Sequence, residues 1–319
     1  MTSNITVLGS FVVDLMARSP HIPIQGETVK GSVFKMGPGG KGSNQAVAAH
    51  RCGGSVTLIT KIGKDVFGTM AKDFYKQEGM SIEYVFEDSS LDTGIALIMV
   101  DDSTSQNSIT VVPGACSAIT MDEVAQAQST IQNSSILLCQ LETNLDIIPR
   151  AVESVHKSGG LAILNPAPAP PNPLEDSFIG QFDLITPNES EASILTGIAV
   201  VDYESAYQAA KELQKKGVKD VIITMGKQGS FLLSSKNEAL IFPPLAVKVV
   251  DTTGAGDAFN GGLATALSQG KKLDQAIVFA TAVAALSVTK VGTAPAMPSG
   301  DEVEKLLKNI DLTSYIKKL

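Results

Sequence analysis

The sequence predicts an α/β protein in three layers: helices on both faces of a mostly parallel central sheet, with a small antiparallel β lid beside it. Three observations carry this expectation. Strand-like and helix-like patterns alternate along most of the 319 residues, as in parallel strands joined by crossover helices. Several strand-like runs are continuously apolar, as strands buried on both faces are. Two stretches, at about 10–36 and 93–113, read as strands with no helix between them, which suits an antiparallel sheet.

The elements follow in order. Runs at 5–9, 56–62, 136–141, 162–165, 184–186 and 221–225 are rich in Val, Ile and Leu and read as core strands. Within the second lid segment, 94–100 and 108–112 flank the polar residues 101–107, a hairpin loop. There Ile95, Leu97 and Met99 alternate with Ala96, Ile98 and Val100, so both faces of the strand are apolar. One face can cover a ligand and the other can meet a partner. Ala206, Ala209, Ala210 and Leu213 recur at helical spacing, with Gly217 as the stop. Residues 166–173 are proline-rich and read as a stiff surface loop. An apolar run at 245–250 leads into a glycine bend, and a helical pattern at 258–267 leaves it. No repeat or linker divides the chain, so one domain over 1–319 is expected.

Composition narrows the function classes. Net charge is −8 with no basic cluster, which argues against a nucleic-acid partner. The longest apolar stretch, 276–288, is interrupted by Thr281 and Ser287 and is too short for a bilayer. The start, Met1-Thr-Ser-Asn, lacks the layout of a signal peptide. Cys52, Cys116 and Cys139 are scattered, which fits reduced thiols and a cytoplasmic protein. His21, His50 and His156 form no zinc pattern.

The most informative stretch is 251–262, Asp-Thr-Thr-Gly-Ala-Gly-Asp-Ala-Phe-Asn-Gly-Gly. Gly254 and Gly256 permit a tight bend, and Asp257 falls in the first turn of the helix that follows. Free N–H groups at a helix start attract anions. A carboxylate beside them suits a base that takes a proton from a hydroxyl during phosphoryl transfer. Taken alone, the same pattern is also an ordinary glycine turn with an acid favoured by the helix dipole. A second glycine bend, Gly37-Pro-Gly-Gly-Lys-Gly-Ser-Asn-Gln45, also opens a helix. Gly40 and Gly42 allow close approach, and Lys41 and Asn44 can bond a polyhydroxylated ligand. Gly37, Gly39 and Gly42 match a dinucleotide fingerprint, but the obvious opening strand at 5–8 is far upstream, and no Walker A loop surrounds Lys41. Asp14, Glu142, Asn188 and Asp251 follow apolar runs. If those strands are parallel, the four acids and amides converge on one crevice at the strand ends.

Together the two glycine motifs resemble the signatures of the ribokinase family, the PfkB sugar kinases. The resemblance runs from Gly9 to about Pro298 and includes Asp14, Gly26-Glu-Thr28, Gln140-Leu-Glu142, Asn165-Pro-Ala-Pro-Ala169, Thr186-Pro-Asn-Glu-Ser-Glu191, Thr224-Met-Gly-Lys-Gln-Gly229 and Lys290-Val-Gly292. It implies a ribokinase-like fold and ATP-dependent phosphorylation of a free pentose at its 5-hydroxyl, most often ribose. By the same resemblance Asp14, Gly40, Lys41, Gly42, Asn44 and Glu142 hold the sugar, Asp257 is the base, and Gly254, Ala255 and Gly256 form the anion hole. Asn188, Thr224, Gly226, Lys227, Gly229, Gly256 and Thr281 are implied at the nucleotide, with Asn188 and Glu191 at Mg²⁺. Asp251, Thr253, Ser287, Lys290, Gly292 and Ala296 are implied at a potassium-like cation, and the lid strands at a homodimer contact. Two positions depart from the pattern. Val12 stands where many such kinases carry Asn, and Gly114-Ala-Cys116 stands for Gly-Ala-Asn. The first leaves 2-deoxyribose or another sugar open. A non-catalytic sugar or nucleotide sensor is the alternative of a different class, and an intact Asp257 with its glycine turn weighs against it.

Overall fold

Among the described residues of the computed structural model, fourteen strands carry the architecture: β1 (Asn4–Leu8), β2 (Val12–Ser19), β3 (Val33–Gly39), β4 (Ser55–Gly63), β5 (Val85–Asp88), β6 (Thr93–Asp101), β7 (Asn107–Gly114), β8 (Ile136–Cys139), β9 (Leu161–Leu164), β10 (Leu184–Ile185), β11 (Asp220–Thr224), β12 (Ser230–Leu233), β13 (Ala239–Phe242) and β14 (Lys317–Lys318). The structure describes residues 4–104, 106–170, 172–308, 310 and 315–319. Met1 to Ser3 of the expected leaderless start, Ser105 of the polar hairpin loop and Pro171 of the proline-rich loop lie outside the described residues.

Ten strands form one sheet in the order β14-β13-β12-β11-β10-β9-β8-β1-β4-β5. From β11 to β5 every pairing is parallel, and β12, β13 and β14 add on antiparallel at one edge. The apolar runs alternate between the two faces. Val7, Leu138, Ile163 and Ile222 face one core with the helices Lys41–Arg51, Ala255–Ser268 and Leu273–Ser287. Leu8, Leu137, Leu164 and Ile223 face the other, against Ile148–His156 and Tyr203–Lys215. This is the expected three-layer sandwich. Among the described residues no helix is long and apolar enough to cross a membrane.

The small sheet runs β3-β2-β6-β7. Its outer pairs, β2–β3 and β6–β7, are antiparallel as expected, while the central pair β2–β6 is parallel, Val12 opposite Gly94 through Ser19 opposite Asp101. The alternation along β6 places Ala96 and Ile98 toward a cavity, and Leu97 and Met99 outward, 44% and 37% exposed.

Two local expectations fail. Residues 245–250 form no strand, and Val249 and Val250 are exposed. Pro243 and Pro244 precede this run and remove ladder donors, so its β-branched residues find no neighbour to pair with. Asp251 therefore does not end a strand of the main sheet. Asp14 is not at a main-sheet strand end either, because it lies inside β2 of the small sheet.

Candidate active site

Two cavities meet at Asp257. The larger, about 620 Å³, lies under the small sheet and is lined by Val12, Asp14, Gly40, Lys41, Asn44, Glu142, Thr293 and the apolar Ala96, Ile98, Ile109 and Val111. The smaller, about 170 Å³, is lined by Asn165, Thr186, Asn188, Glu191, Thr224, Ala255, Gly256 and Asn260. Lys41, Gly254 and Asp257 line both.

The chain reaches this arrangement through local geometry. Gly254 caps the helix Ala255–Ser268 at φ 77°, a left-handed conformation that a side chain would strain. Asp257 follows in the first turn and is buried. Ala255 N–H turns back to Thr252 O at 3.2 Å. Among the described residues no protein acceptor meets N–H of Gly256 or Asp257, the usual state of a helix's first turn. The free donors at this helix start are thus the N–H groups of residues 256 and 257, while Ala255 N–H is engaged by Thr252 O. The helix Lys41–Arg51 starts beside Asp257, so Asn44 Nδ2 donates to Asp257 Oδ2 and Gln45 Nε2 to Oδ1, both at 2.9 Å. Gly42 faces neither cavity. A Cβ there would sit 2.5 Å from the Gly9 carbonyl carbon, so it serves backbone packing and not ligand contact.

Electrostatics follow from the crowding of acids. Burial pushes the Asp257 pKa above the ordinary aspartate value, against the pull of Lys41 and the two amides. Asp14 is pushed up to about 6, chiefly by burial, with Glu142 and Asp257 adding to it and the hydroxyl of Thr293 opposing. Burial works against the Lys41 ammonium, yet Asp257, Glu142, Glu191 and Asp14 outweigh it and hold its pKa above the lysine norm. Glu142 is fixed by Lys41 N–H, which donates to Oε2 at 2.8 Å, and by Ser10 Oγ.

At the smaller cavity Asn188 caps the helix Glu189–Thr196. Its amide oxygen accepts from Glu191 N and Ser190 Oγ, both at 2.8 Å, so it is already engaged. Glu191 Oε2 accepts Asn188 N–H at 2.9 Å, while among the described residues Oε1 meets no donor, and the side chain lines the smaller cavity. No group of three metal-binding His, Cys, Asp or Glu occurs among the described residues. A hydrated Mg²⁺ fits one carboxylate with water and phosphate as its other ligands, through Glu191 and without the Asn188 oxygen. Thr224 joins the site through a bridge to Asn188, and Gly226, Lys227 and Gly229 form the turn just beyond it. Thr281 is not brought in. It lies in the helix Leu273–Ser287, its hydroxyl donating to Ile277 O at 2.8 Å, and it lines neither cavity.

The segments expected at a monovalent cation do meet. Asp251 accepts from Thr253 N at 2.9 Å and Gly292 N at 3.0 Å, and Val250 N donates to Val288 O at 2.7 Å. Those bonds outweigh burial and lower the Asp251 pKa. Ser287 and Ala296 are buried beside this junction, whereas Lys290 points out to Glu302 at 3.1 Å.

Sequence reasoning gave no role to Gln45, Thr293 or Asn260. Thr293 Oγ1 approaches Asp14 Oδ2 at 3.2 Å and Pro38 O at 3.1 Å. Gly37 and Gly39 lie in β3 of the small sheet, not at a parallel strand-to-helix turn, so the dinucleotide fingerprint is excluded.

A profile described as "pfkB family carbohydrate kinase" matches residues 2–300. The chain belongs to the PfkB family of carbohydrate kinases. This PfkB kinase is 42% identical over 309 residues to a ribokinase of Haemophilus influenzae, covering 97% of the chain and 100% of that relative. It is 36% identical to a deoxyribokinase of Salmonella typhimurium, with 95% and 98% covered. The structure resembles Thermotoga maritima ribokinase at TM-score 0.86, 36% identity and coverage of 96% and 99%. It also resembles Arabidopsis thaliana ribokinase complexed with ribose and ATP, at TM-score 0.89, 31% identity and coverage of 97% and 100%.

Proposed function

We propose that this PfkB kinase transfers the γ-phosphoryl group of ATP to the 5-hydroxyl of a free pentose, with ribose as its substrate. The observation that carries the reading is the position of Asp257, in the wall shared by an acid- and amide-lined cavity under the small sheet and a cavity at a helix start. Each Asp257 oxygen accepts one amide hydrogen and keeps a lone pair. The base takes the hydroxyl proton as the sugar oxygen attacks the γ-phosphorus and the bond to ADP breaks. The free N–H groups at 256 and 257 and the Lys41 ammonium face the charge that grows on the phosphoryl oxygens. Asp14, Asn44 and Glu142 orient the sugar. Mg²⁺, held through Glu191 and water, supplies charge neutralisation on the phosphates when bound. A monovalent cation at the 251–253 and 287–296 junction would order the anion-binding turn. We place the protein in the cytoplasm as one kinase domain over 1–319, with ATP and the sugar as its partners and no nucleic acid. An ADP-release assay with ribose, 2-deoxyribose and fructose tests the reading. Turnover with none of them would sink it.

A second sugar has specific support. Val12 and the apolar Ala96, Ile98 and Val111 give one wall of the larger cavity no hydrogen-bonding side chain. A wall that bonds no hydroxyl discriminates weakly against a sugar lacking one. We expect kcat/KM for 2-deoxyribose within about tenfold of ribose, roughly 1.4 kcal/mol. A preference above about a hundredfold that Val12→Asn leaves unchanged would show that Val12 does not set it.

A further inference from the structure

The carboxylate of Asp257 is oriented partly by a side chain that touches no cavity. Gln45 is fully buried, lines neither cavity, and uses both hydrogens of its amide. Its Nε2 donates to Asp257 Oδ1 and to Asn165 Oδ1, each at 2.9 Å, and its Oε1 accepts from Gln140 Nε2 at 2.7 Å. Backbone carbonyls, which only accept, set the sense of this chain. Asn165 Nδ2 donates to Thr186 O at 3.1 Å, so Asn165 Oδ1 is left to accept from Gln45. On the far side Thr186 Oγ1 donates to Asn260 Oδ1 at 2.6 Å, and Asn260 Nδ2 donates to Gly256 O at 2.8 Å. A flipped Gln45 amide would set oxygen against two acceptors and nitrogen against a donor, losing all three bonds inside the core.

We propose that Gln45 is a positioning residue for the phosphoryl-transfer base, holding Asp257 ionised and in one carboxylate plane through the chain Gln140–Gln45–Asn165. The proposal rests on the assignment of Asp257 as the base. The need is physical. Asp257 is buried and faces Glu142 from the segment after β8, Asp14 from β2 and Glu191 from the helix Glu189–Thr196, with Lys41 as the cation opposing them. All but Lys41 favour the neutral acid, which cannot take a proton. Two amide donors oppose that tendency, and they differ. Asn44 lines the sugar cavity, where a bound hydroxyl competes for it. Gln45 is walled off, so no ligand draws it away.

The test is kcat and KM for ribose and ATP from about pH 5 to about pH 9 in wild type, Gln45→Met, Gln140→Met and Asp257→Asn. Gln45→Met keeps bulk but donates nothing. It should move the acidic limb of the kcat profile upward by about one pH unit and cut kcat about tenfold at neutral pH, with both KM values within about threefold. Gln140→Met, which releases the far end of the amide, should move the limb the same way by less. A folded Gln45→Met with the wild-type limb would overturn the proposal, and so would a loss of kcat equal at every pH. If Gln45→Met does not fold, an unmoved limb in Gln140→Met overturns it. Asp257→Asn separates the two ideas. If that variant keeps more than about a tenth of kcat, the base assignment itself fails. If it is inactive while Gln45→Met keeps the wild-type limb, only the positioning role fails.

Discussion

Asp14→Asn should make the sugar-free enzyme more stable and the sugar harder to bind. Asp14 is largely buried among acids, and its pKa rises to about 6 from 3.8. A carboxyl whose folded pKa is raised favours the fold only while it is protonated. That contribution is complete below about pH 3.8 and is lost as pH rises through about 6. Above that window the ionised group costs roughly 3 kcal/mol, at about 1.4 kcal/mol for each tenfold in proton affinity. Asparagine carries no charge and can still accept from Thr293 Oγ1, which now lies 3.2 Å from Asp14 Oδ2. Two losses offset the gain: Lys41 gives up one of its four carboxylate neighbours, and the match is imperfect. A net gain of ~1–3 kcal/mol raises the melting temperature by a few degrees at about pH 8, and the gain should vanish near pH 4. The charged bond to a sugar hydroxyl is lost at the same time, worth ~1.5–3 kcal/mol, so KM for the sugar should rise at least about tenfold. Thermal melts of both proteins at the two pH values, without ligand, are the assay. A variant that melts lower than wild type at pH 8, or one whose gain persists at pH 4, would refute the reasoning.

The remaining predictions are shorter. Asp257→Asn should bind ATP normally, by titration, and lose about 10²–10⁴-fold in kcat; activity above about a tenth of wild type rules out the base. Potassium should raise kcat over a bulky organic cation, because Asp251 ties the 251–253 turn to Gly292 beside the anion-binding helix start; equal rates remove the claim. The outward face of the small sheet carries Phe34, Met36, Leu97 and Met99, exposed by 66%, 51%, 44% and 37%. A homodimer through that face is expected, and a fully active monomer in light scattering at micromolar concentration would count against it.

Much of the fold was legible because its signals are local. The runs around Ile5, Leu58, Leu138, Ile163 and Ile222 are apolar on both faces, and only a covered parallel sheet satisfies them. The bends before Lys41 and Ala255 announced two helix starts, and both are there. The misses are of another kind. The run at 245–250 has strand composition but no partner, since pairing depends on what lies beside it. Asp14 was expected at a strand end, yet it lies inside β2, which continues past it because β3 and the distant β6 pair along its length. Asn188, implied at Mg²⁺ by the resemblance, also has a structural part that spacing did not announce, since its oxygen caps its own helix start. Gln45 sat in plain view inside the motif, but its partners are Gln140, Asn165 and Asp257, and no spacing rule connects a helix to contacts that remote.

The parallel join between β2 and β6 also bears on how the chain is made. An antiparallel pair can zip from a tight turn, but a parallel pair must wait for everything between its strands. β2 and β3 emerge from the ribosome early and can pair at once, leaving one side of β2 without a neighbour until Thr93–Asp101 has followed. During that interval the nascent chain presents the edge of β2, with Val12, Val13 and Leu15 on it, as a template for foreign strands. β1 is already made by then, and the helix Lys41–Arg51, β4 and β5 are synthesised in the meantime. The cover of the larger cavity is therefore completed only after that much of the body exists to fold against, and slowed translation between residues 39 and 93 would lengthen the vulnerable period.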